Sequence, residues 1–141
     1  MAQRIVRLLP IFFLFLAGAC GAQADSAAAH GLSLPAGAES VVPLPGDAAI
    51  VMAETAEASA VVLFRPGLNW PESVDFFSSR FQRGGWSLDE ESIPELNQGE
   101  RTAAWRARGH GVRVTVNITA FGGPEGSNMS GVLMVEAETE T

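Results

Sequence analysis

Residues capable of nucleophilic, acid–base or metal chemistry are few in this chain. It has one cysteine, two histidines and no lysine or tyrosine. His110 lies between two glycines and His30 in a stretch rich in alanine and glycine. Neither histidine has a nucleophile or further ligands at a spacing typical of a catalytic or metal site. The sequence therefore predicts no catalytic residue, no metal and no cofactor, and a protein that is not an enzyme.

The acidic residues Asp89, Glu90 and Glu91 are the one group of neighbouring carboxylates that could suggest paired acid–base chemistry. Consecutive residues of a strand point to opposite faces of the sheet, so these side chains cannot converge on one substrate. We interpret them as a solvated strand edge. The net charge of −7 also disfavours a nucleic-acid partner, which requires a large cationic surface.

The N-terminus has the features of a secretory signal peptide. Arg4 and Arg7 precede an apolar run from Leu8 to Ala19. About 20 residues are needed to cross a bilayer as a helix, so this run is too short to be a membrane span. A charged start, a short apolar stretch and small residues at its end predict a signal peptide over residues 1–19.

The single cysteine, Cys20, directly follows this apolar run. The sequence Leu16-Ala17-Gly18-Ala19-Cys20 resembles the lipobox of bacterial lipoproteins, although Ala17 stands where that family usually has leucine. The resemblance implies cleavage before Cys20, acylation of Cys20 and attachment of the protein to the membrane, facing the periplasm. The residue after the cysteine is Gly21 rather than aspartate. In this the sequence resembles lipoproteins that are sorted to the outer membrane rather than retained in the inner one.

A second cleavage site is also present. Ala22-Gln23-Ala24 is an A-x-A sequence, and cleavage after Ala24 would release a soluble periplasmic protein. The alternative function is then that of a small-ligand-binding protein, with the ligand held between a helix and a sheet. A small hydrolase is the least favoured function, because no nucleophile–base pair is present.

Three arginines form a candidate site for an anion or a partner protein. A two-residue turn at Gly109-His110 would pair residues 101–108 with residues 111–121 as a hairpin. Trp105 then lies on the apolar face, while Arg106, Arg108 and Arg113 share the polar face, with Arg106 directly opposite Arg113. Like charges across two strands repel. We expect relief from Glu90, Glu136 or Glu138, or from a carboxylate or phosphate group in the envelope, such as the acidic face of a partner protein.

The elements that position these arginines can be read from the pattern of apolar residues. Asn69 can cap a helix whose Val74, Phe77 and Phe81 share one face, and Gly84-Gly85 ends it. Short β-branched runs predict two strands before this helix and four after it. The predicted fold is α+β: a β-β-α-β-β-β-β chain forming an antiparallel sheet with one helix packed on one face. The predicted core centre consists of Phe81, Trp86 and Trp105.

The predicted organisation is a flexible lipid-anchored linker over residues 20–46, a domain over 47–138 and a tail over 139–141. Residues 75–86, which run from an aromatic helix into Gly-Trp, resemble a pattern found in small bacterial envelope lipoproteins of unassigned function. This resemblance implies the same α+β module over roughly residues 43–138 and brings no catalytic residues with it. We therefore expect a non-enzymatic binding or structural module of the cell envelope, with an envelope protein as a possible partner.

Overall fold

The computed structural model describes residues 25–95, 99–122 and 128–139. The predicted signal peptide and Cys20 lie outside the described residues. The described part contains two 3₁₀ helices, one α-helix and six strands. The 3₁₀ helices are Ala27–His30 and Pro35–Ser40, and the α-helix, α1, is Trp70–Phe81. The strands are β1 (Ala49–Thr55), β2 (Ser59–Arg65), β3 (Ser87–Ser92), β4 (Arg101–Gly109), β5 (Val112–Phe121) and β6 (Asn128–Ala137).

The six strands form one antiparallel open sheet in the order β1-β2-β6-β5-β4-β3. The predicted α+β class is confirmed. Strand β6, the last in the chain, lies between β2 and β5, so the first hairpin joins the later strands only when the final strand is in place. Within the described ranges, no helix is long and apolar enough to cross a membrane.

Helix α1 begins where the sequence predicts. The Asn69 side chain accepts a hydrogen bond from the Glu72 backbone N–H at 2.9 Å, which satisfies one of the donors left free at a helix start. Trp70, Phe77 and Phe81 are buried. The Phe77 ring lies 5.3 Å from Trp105 and 6.2 Å from Phe64, so the rings of α1 contact those of the sheet.

Alternate residues of the strands form the core. In β4 and β5 these are Ala103, Trp105, Ala107, Val112, Val114, Val116, Ile118 and Ala120, all with 0% exposure. Trp105 therefore faces the core, as predicted. Trp86, also predicted at the core centre, is only half-buried and packs against the edge of the cluster, between Phe81 and His110.

The prediction of a flexible linker over 20–46 is wrong from Asp25 onward. Leu34, Ala38, Val42 and Leu44 are buried in the same apolar cluster as the sheet and α1. An isolated bridge between Ser26 and Pro43 closes this segment on itself. The apolar residues of this segment are spaced irregularly between prolines, so they show neither the helical nor the strand period that predicts a packed element. They nevertheless bury apolar area against the sheet.

We call the sheet face that carries these buried residues the covered face. The opposite face, which carries the alternate residues of the same strands, is the open face. Its residues are half-buried or exposed.

Candidate interaction surface

Arg106, Arg108 and Arg113 all lie on the open face and are exposed, as predicted. Their pairing differs from the prediction. Arg113 lies opposite Arg108, and Arg106 lies opposite Thr115. The predicted Arg106–Arg113 pair is wrong.

The difference arises in the turn, which consists of His110 and Gly111 rather than Gly109 and His110. Both turn residues have positive φ, 54° at His110 and 80° at Gly111. This is the pattern of a type I′ turn, whose twist suits a two-residue hairpin. When the turn moves by one residue, each residue of β4 pairs with a β5 residue two positions further along. Because side chains alternate between the two faces, a shift of two positions leaves every side chain on its predicted face. For this reason the predicted faces hold although the predicted pairs do not.

Two of the three arginines have acidic partners on the neighbouring edge strand. Arg108 forms a bidentate salt bridge with Asp89, with N–O distances of 2.8 and 3.1 Å. Hydrogen bonding to Asp89, together with its negative charge, raises the pKa of the Arg108 guanidinium. The Arg106 Nη1 atom lies 3.5 Å from Glu90 Oε2. These contacts match the intramolecular relief expected from Glu90.

An irregularity in β3 brings both carboxylates to these arginines. The register of β3 on β4 shifts between Leu88 and Glu90, which leaves Asp89 as an extra residue. Such a bulge interrupts the strict alternation of side chains. Asp89 and Glu90 therefore both reach open-face arginines although they are consecutive.

The third carboxylate of the run, Glu91, has a different role. Its Oε1 accepts hydrogen bonds from the Ser78 hydroxyl at 2.6 Å and from the Trp105 indole N–H at 3.2 Å. A buried indole N–H needs such a partner. The run lies exposed on the edge strand, as interpreted, and each of its carboxylates also has a partner within the domain.

Arg113 is the exception in the arginine cluster. It lies between Arg108 on β4 and Glu136 on β6 in the strand register. Among the described residues it forms no salt bridge within 4.0 Å. Its exposed guanidinium is thus available to an external acidic group.

The open face also carries an apolar strip that the sequence analysis missed. It consists of Met52, Val61, Leu63, Val132 and Met134. Met52 pairs with Leu63, Leu63 with Val132, and Val61 with Met134, so the five side chains form a continuous patch across β1, β2 and β6. Met52 is 45% exposed, and Val61 and Met134 are each 36% exposed.

A sequence signal for this strip exists. Residues 60–64 and 132–135 are consecutively apolar rather than alternating. A strand of that composition is apolar on both faces. The alternation in residues 101–121 is instead typical of a strand with one polar face, so the arginines were found and the strip was not.

Each histidine donates a hydrogen bond from its ring to a backbone carbonyl oxygen. His110 Nε2 donates to the carbonyl oxygen of Gly84 at 2.6 Å, and His30 Nε2 donates to that of Pro45 at 2.9 Å. In each case the hydrogen bond fixes the ring with Nε2 as the protonated nitrogen. In the described ranges, no three His, Cys, Asp or Glu residues are placed to hold a metal ion.

Cys20, the predicted lipidation site, lies outside the described residues, so its role stays a prediction. Comparison with known proteins adds no assignment: the chain matches no protein-family model, no curated protein and no solved structure.

Proposed function

We propose that this protein is a non-enzymatic module of the bacterial cell envelope, anchored through acylated Cys20, that binds a partner protein through its open face. The proposed attachment rests on the charged and apolar leader that ends at a single cysteine. Its proposed binding role rests on the surface described above.

The observation that carries the binding role is the apolar strip. Single exposed apolar residues are normal on protein surfaces, but contiguous apolar patches with a polar rim are typical of interaction sites. Here the exposed Val61 and Met134 pair with each other, and the exposed Met52 pairs with the half-buried Leu63 beside them. An open depression of about 420 Å³ adjoins Val61 at the β1–β2 turn. It offers space for a side chain of the partner.

The charges beside the strip indicate the chemistry of the partner. Arg106 and Arg108 are neutralised by Glu90 and Asp89, whereas Arg113 has no such salt bridge among the described residues. The partner surface that fits has an apolar centre and an acidic group at the edge that meets Arg113. Apolar contact would supply most of the affinity and the acidic group the orientation.

The alternative of a soluble small-ligand-binding protein receives mixed support. The space between α1 and the sheet is occupied by the rings of Phe77, Phe81 and Trp105, each with 0% exposure. This filling disfavours a ligand at that position. Cleavage after Ala24, however, is compatible with the packing of Asp25, which would become the first residue. Mass spectrometry of the mature N-terminus distinguishes acylated Cys20 from a free amine on Asp25.

The binding proposal is tested by site-specific photo-crosslinking in the native envelope. A photoreactive residue at position 115, on the open face beside Met134, is compared with one at Glu72 on the exposed start of α1. We expect a discrete crosslinked partner from position 115 and none from position 72.

Substitutions then show whether the strip causes that contact. Val61→Thr together with Met134→Gln, which keep side-chain size but add polarity, should abolish the crosslink from position 115. The matched control is Ile93→Gln, because Ile93 is 42% exposed outside the strip. A crosslink that survives the double substitution, or equal crosslinking from both probe positions, would exclude the open face as the binding surface.

A further inference from the structure

The corner where the described chain begins is firmly attached to the domain. Asp25 Oδ2 lies 3.1 Å from Arg80 Nη2, and Asp25 Oδ1 accepts a hydrogen bond from the Gly46 N–H at 3.0 Å. The Asp25 carbonyl oxygen accepts another from the Leu44 N–H at 3.1 Å. Asp25 is therefore fixed against the C-terminal end of α1.

This attachment limits how far the domain can lie from a membrane. The argument rests on the proposed acylation of Cys20. Only five peptide steps separate Cys20 from Asp25, and a fully extended chain spans at most ~3.6 Å per residue, or about 18 Å here. Because the acyl chains of Cys20 would lie in the bilayer, the Asp25 corner must stay within about that distance of the lipid headgroups.

The same corner carries two arginines, on a protein whose net charge is negative. Both are exposed: Arg80 lies in the last turn of α1, and Arg83 lies two residues after its end. Arg83 donates through Nε to the Ser79 carbonyl oxygen and, among the described residues, forms no salt bridge. Guanidinium groups bind phosphate with paired, charge-assisted hydrogen bonds.

We infer that this corner, formed by Asp25, Arg80 and Arg83, docks on the headgroups of anionic phospholipids. The short connection supplies a high local concentration of headgroups, and Arg83 supplies the complementary charge, because Arg80 is paired with Asp25. Docking fixes the orientation of the domain. His110 Nε2 donates to Gly84 O, so the β4–β5 turn lies at the membrane-facing end.

The opposite end of the sheet provides a reference point. Ser130 pairs with Thr119, six residues along β5 from Arg113 beside the turn. At about 3.3 Å per residue this corresponds to about 20 Å, which depth-dependent quenching can resolve. Arg65 lies one strand away at the same end and is exposed, so it serves as a matched arginine far from the corner.

The test uses the full mature protein, acylation verified by mass spectrometry, in vesicles of phosphatidylethanolamine and phosphatidylglycerol. A fluorophore is placed on Gln82→Cys at the corner or on Ser130→Cys at the far end, and a quencher is attached to the lipid headgroups. We expect strong quenching at position 82 and weak quenching at position 130. Arg83→Gln should lower the ratio of docked to undocked protein by roughly fivefold, and Arg65→Gln should leave it unchanged.

The outcomes separate the two proposals. If the protein is acylated but quenching is equal at both positions, the proposed docking of the corner is wrong. The same holds if Arg83→Gln and Arg65→Gln have equal effects. Neither result would contradict the proposed membrane anchor. Quenching that is unchanged when phosphatidylglycerol is omitted would exclude anionic headgroups as the ligand. A mature chain that begins at Asp25 would overturn both the anchor and the docking.

Discussion

The covered and open faces of the sheet are formed by alternate residues of the same strands, yet they are built differently. On β2, Val62 is fully buried while its neighbour Val61 is 36% exposed. On β6 the same contrast separates Leu133 from Met134. Side chains of equal hydrophobicity thus lie on both faces, but only one face has a layer of helix and N-terminal segment packed on it.

This difference indicates where stability and recognition reside. Burial of apolar side chains is the main stabilising contribution to a fold, so the covered face determines whether the domain folds. Apolar residues of the open face contribute less to folding, because part of their surface stays in contact with water. The proposed function gives these residues a second role, contact with a partner molecule.

The largest expected effect comes from removing the ring that joins α1 to the covered face. Phe77 has 0% exposure and contacts Phe64, Phe81 and Trp105. Phe77→Ala should lower the free energy of unfolding by about 3–5 kcal/mol, because it removes buried area and leaves a cavity. Urea denaturation followed by tryptophan fluorescence measures this change. The control is Phe76→Ala, which removes a half-buried ring and should cost clearly less; equal losses would contradict the assigned core.

A second test adds volume to the covered face instead of removing it. A Cβ atom on Gly131 would lie 2.3–2.7 Å from three ring carbons of Phe64, its partner across β2 and β6. Because Phe64 is buried, its ring cannot move away freely, and Gly131→Ala should cost about 1–3 kcal/mol. Thermal unfolding measures the loss. Ser130→Ala, one residue earlier and exposed on the open face, should be nearly neutral, and a similar cost for both would argue against the close contact.

The two faces can be compared directly within one strand. Val62→Ala removes two buried methyl groups and should cost about 2 kcal/mol, whereas Val61→Ala should cost less than about 1 kcal/mol, because Val61 is partly exposed. Both variants are compared by urea denaturation under identical conditions. The proposed function predicts the opposite order of effects on binding. Val61→Ala should weaken binding of the partner, whereas Val62→Ala, where it folds, should retain it. Equal stability losses would show that the two faces are not distinct.

Local patterns predicted much of the fold. The cap at Asn69, the aromatic face of α1 and the alternation in β4 and β5 each depend on neighbours within a few residues, which a sequence displays directly. The face of each arginine could be predicted for the same reason. Their acidic partners were less certain, because the bulge at Asp89 lies in a different strand.

The features that escaped prediction depend on contacts between distant segments. The apolar strip exists because β6 lies beside β2, and nothing local specifies that neighbour. The N-terminal segment looks like a linker by composition, yet its scattered apolar residues find partners on the covered face. The turn was misplaced by one residue because His110 adopts a positive φ, which non-glycine residues seldom do.

The smallest expected effect separates the arginines of the open face from one another. Arg108 forms two hydrogen bonds with Asp89, whereas Arg113 lies between like charge on β4 and opposite charge on β6. Arg108→Gln should lower the melting temperature slightly, and by less than Val62→Ala, because exposed ion pairs stabilise little. Arg113→Gln should leave it unchanged. Calorimetry at low salt should detect the small difference in melting temperature between the two variants. The difference should disappear at about 1 M salt, where charges are screened beyond about 3 Å. A loss with Arg113→Gln that equals the loss with Arg108→Gln would mean that Arg113 stabilises the fold and is not reserved for a partner.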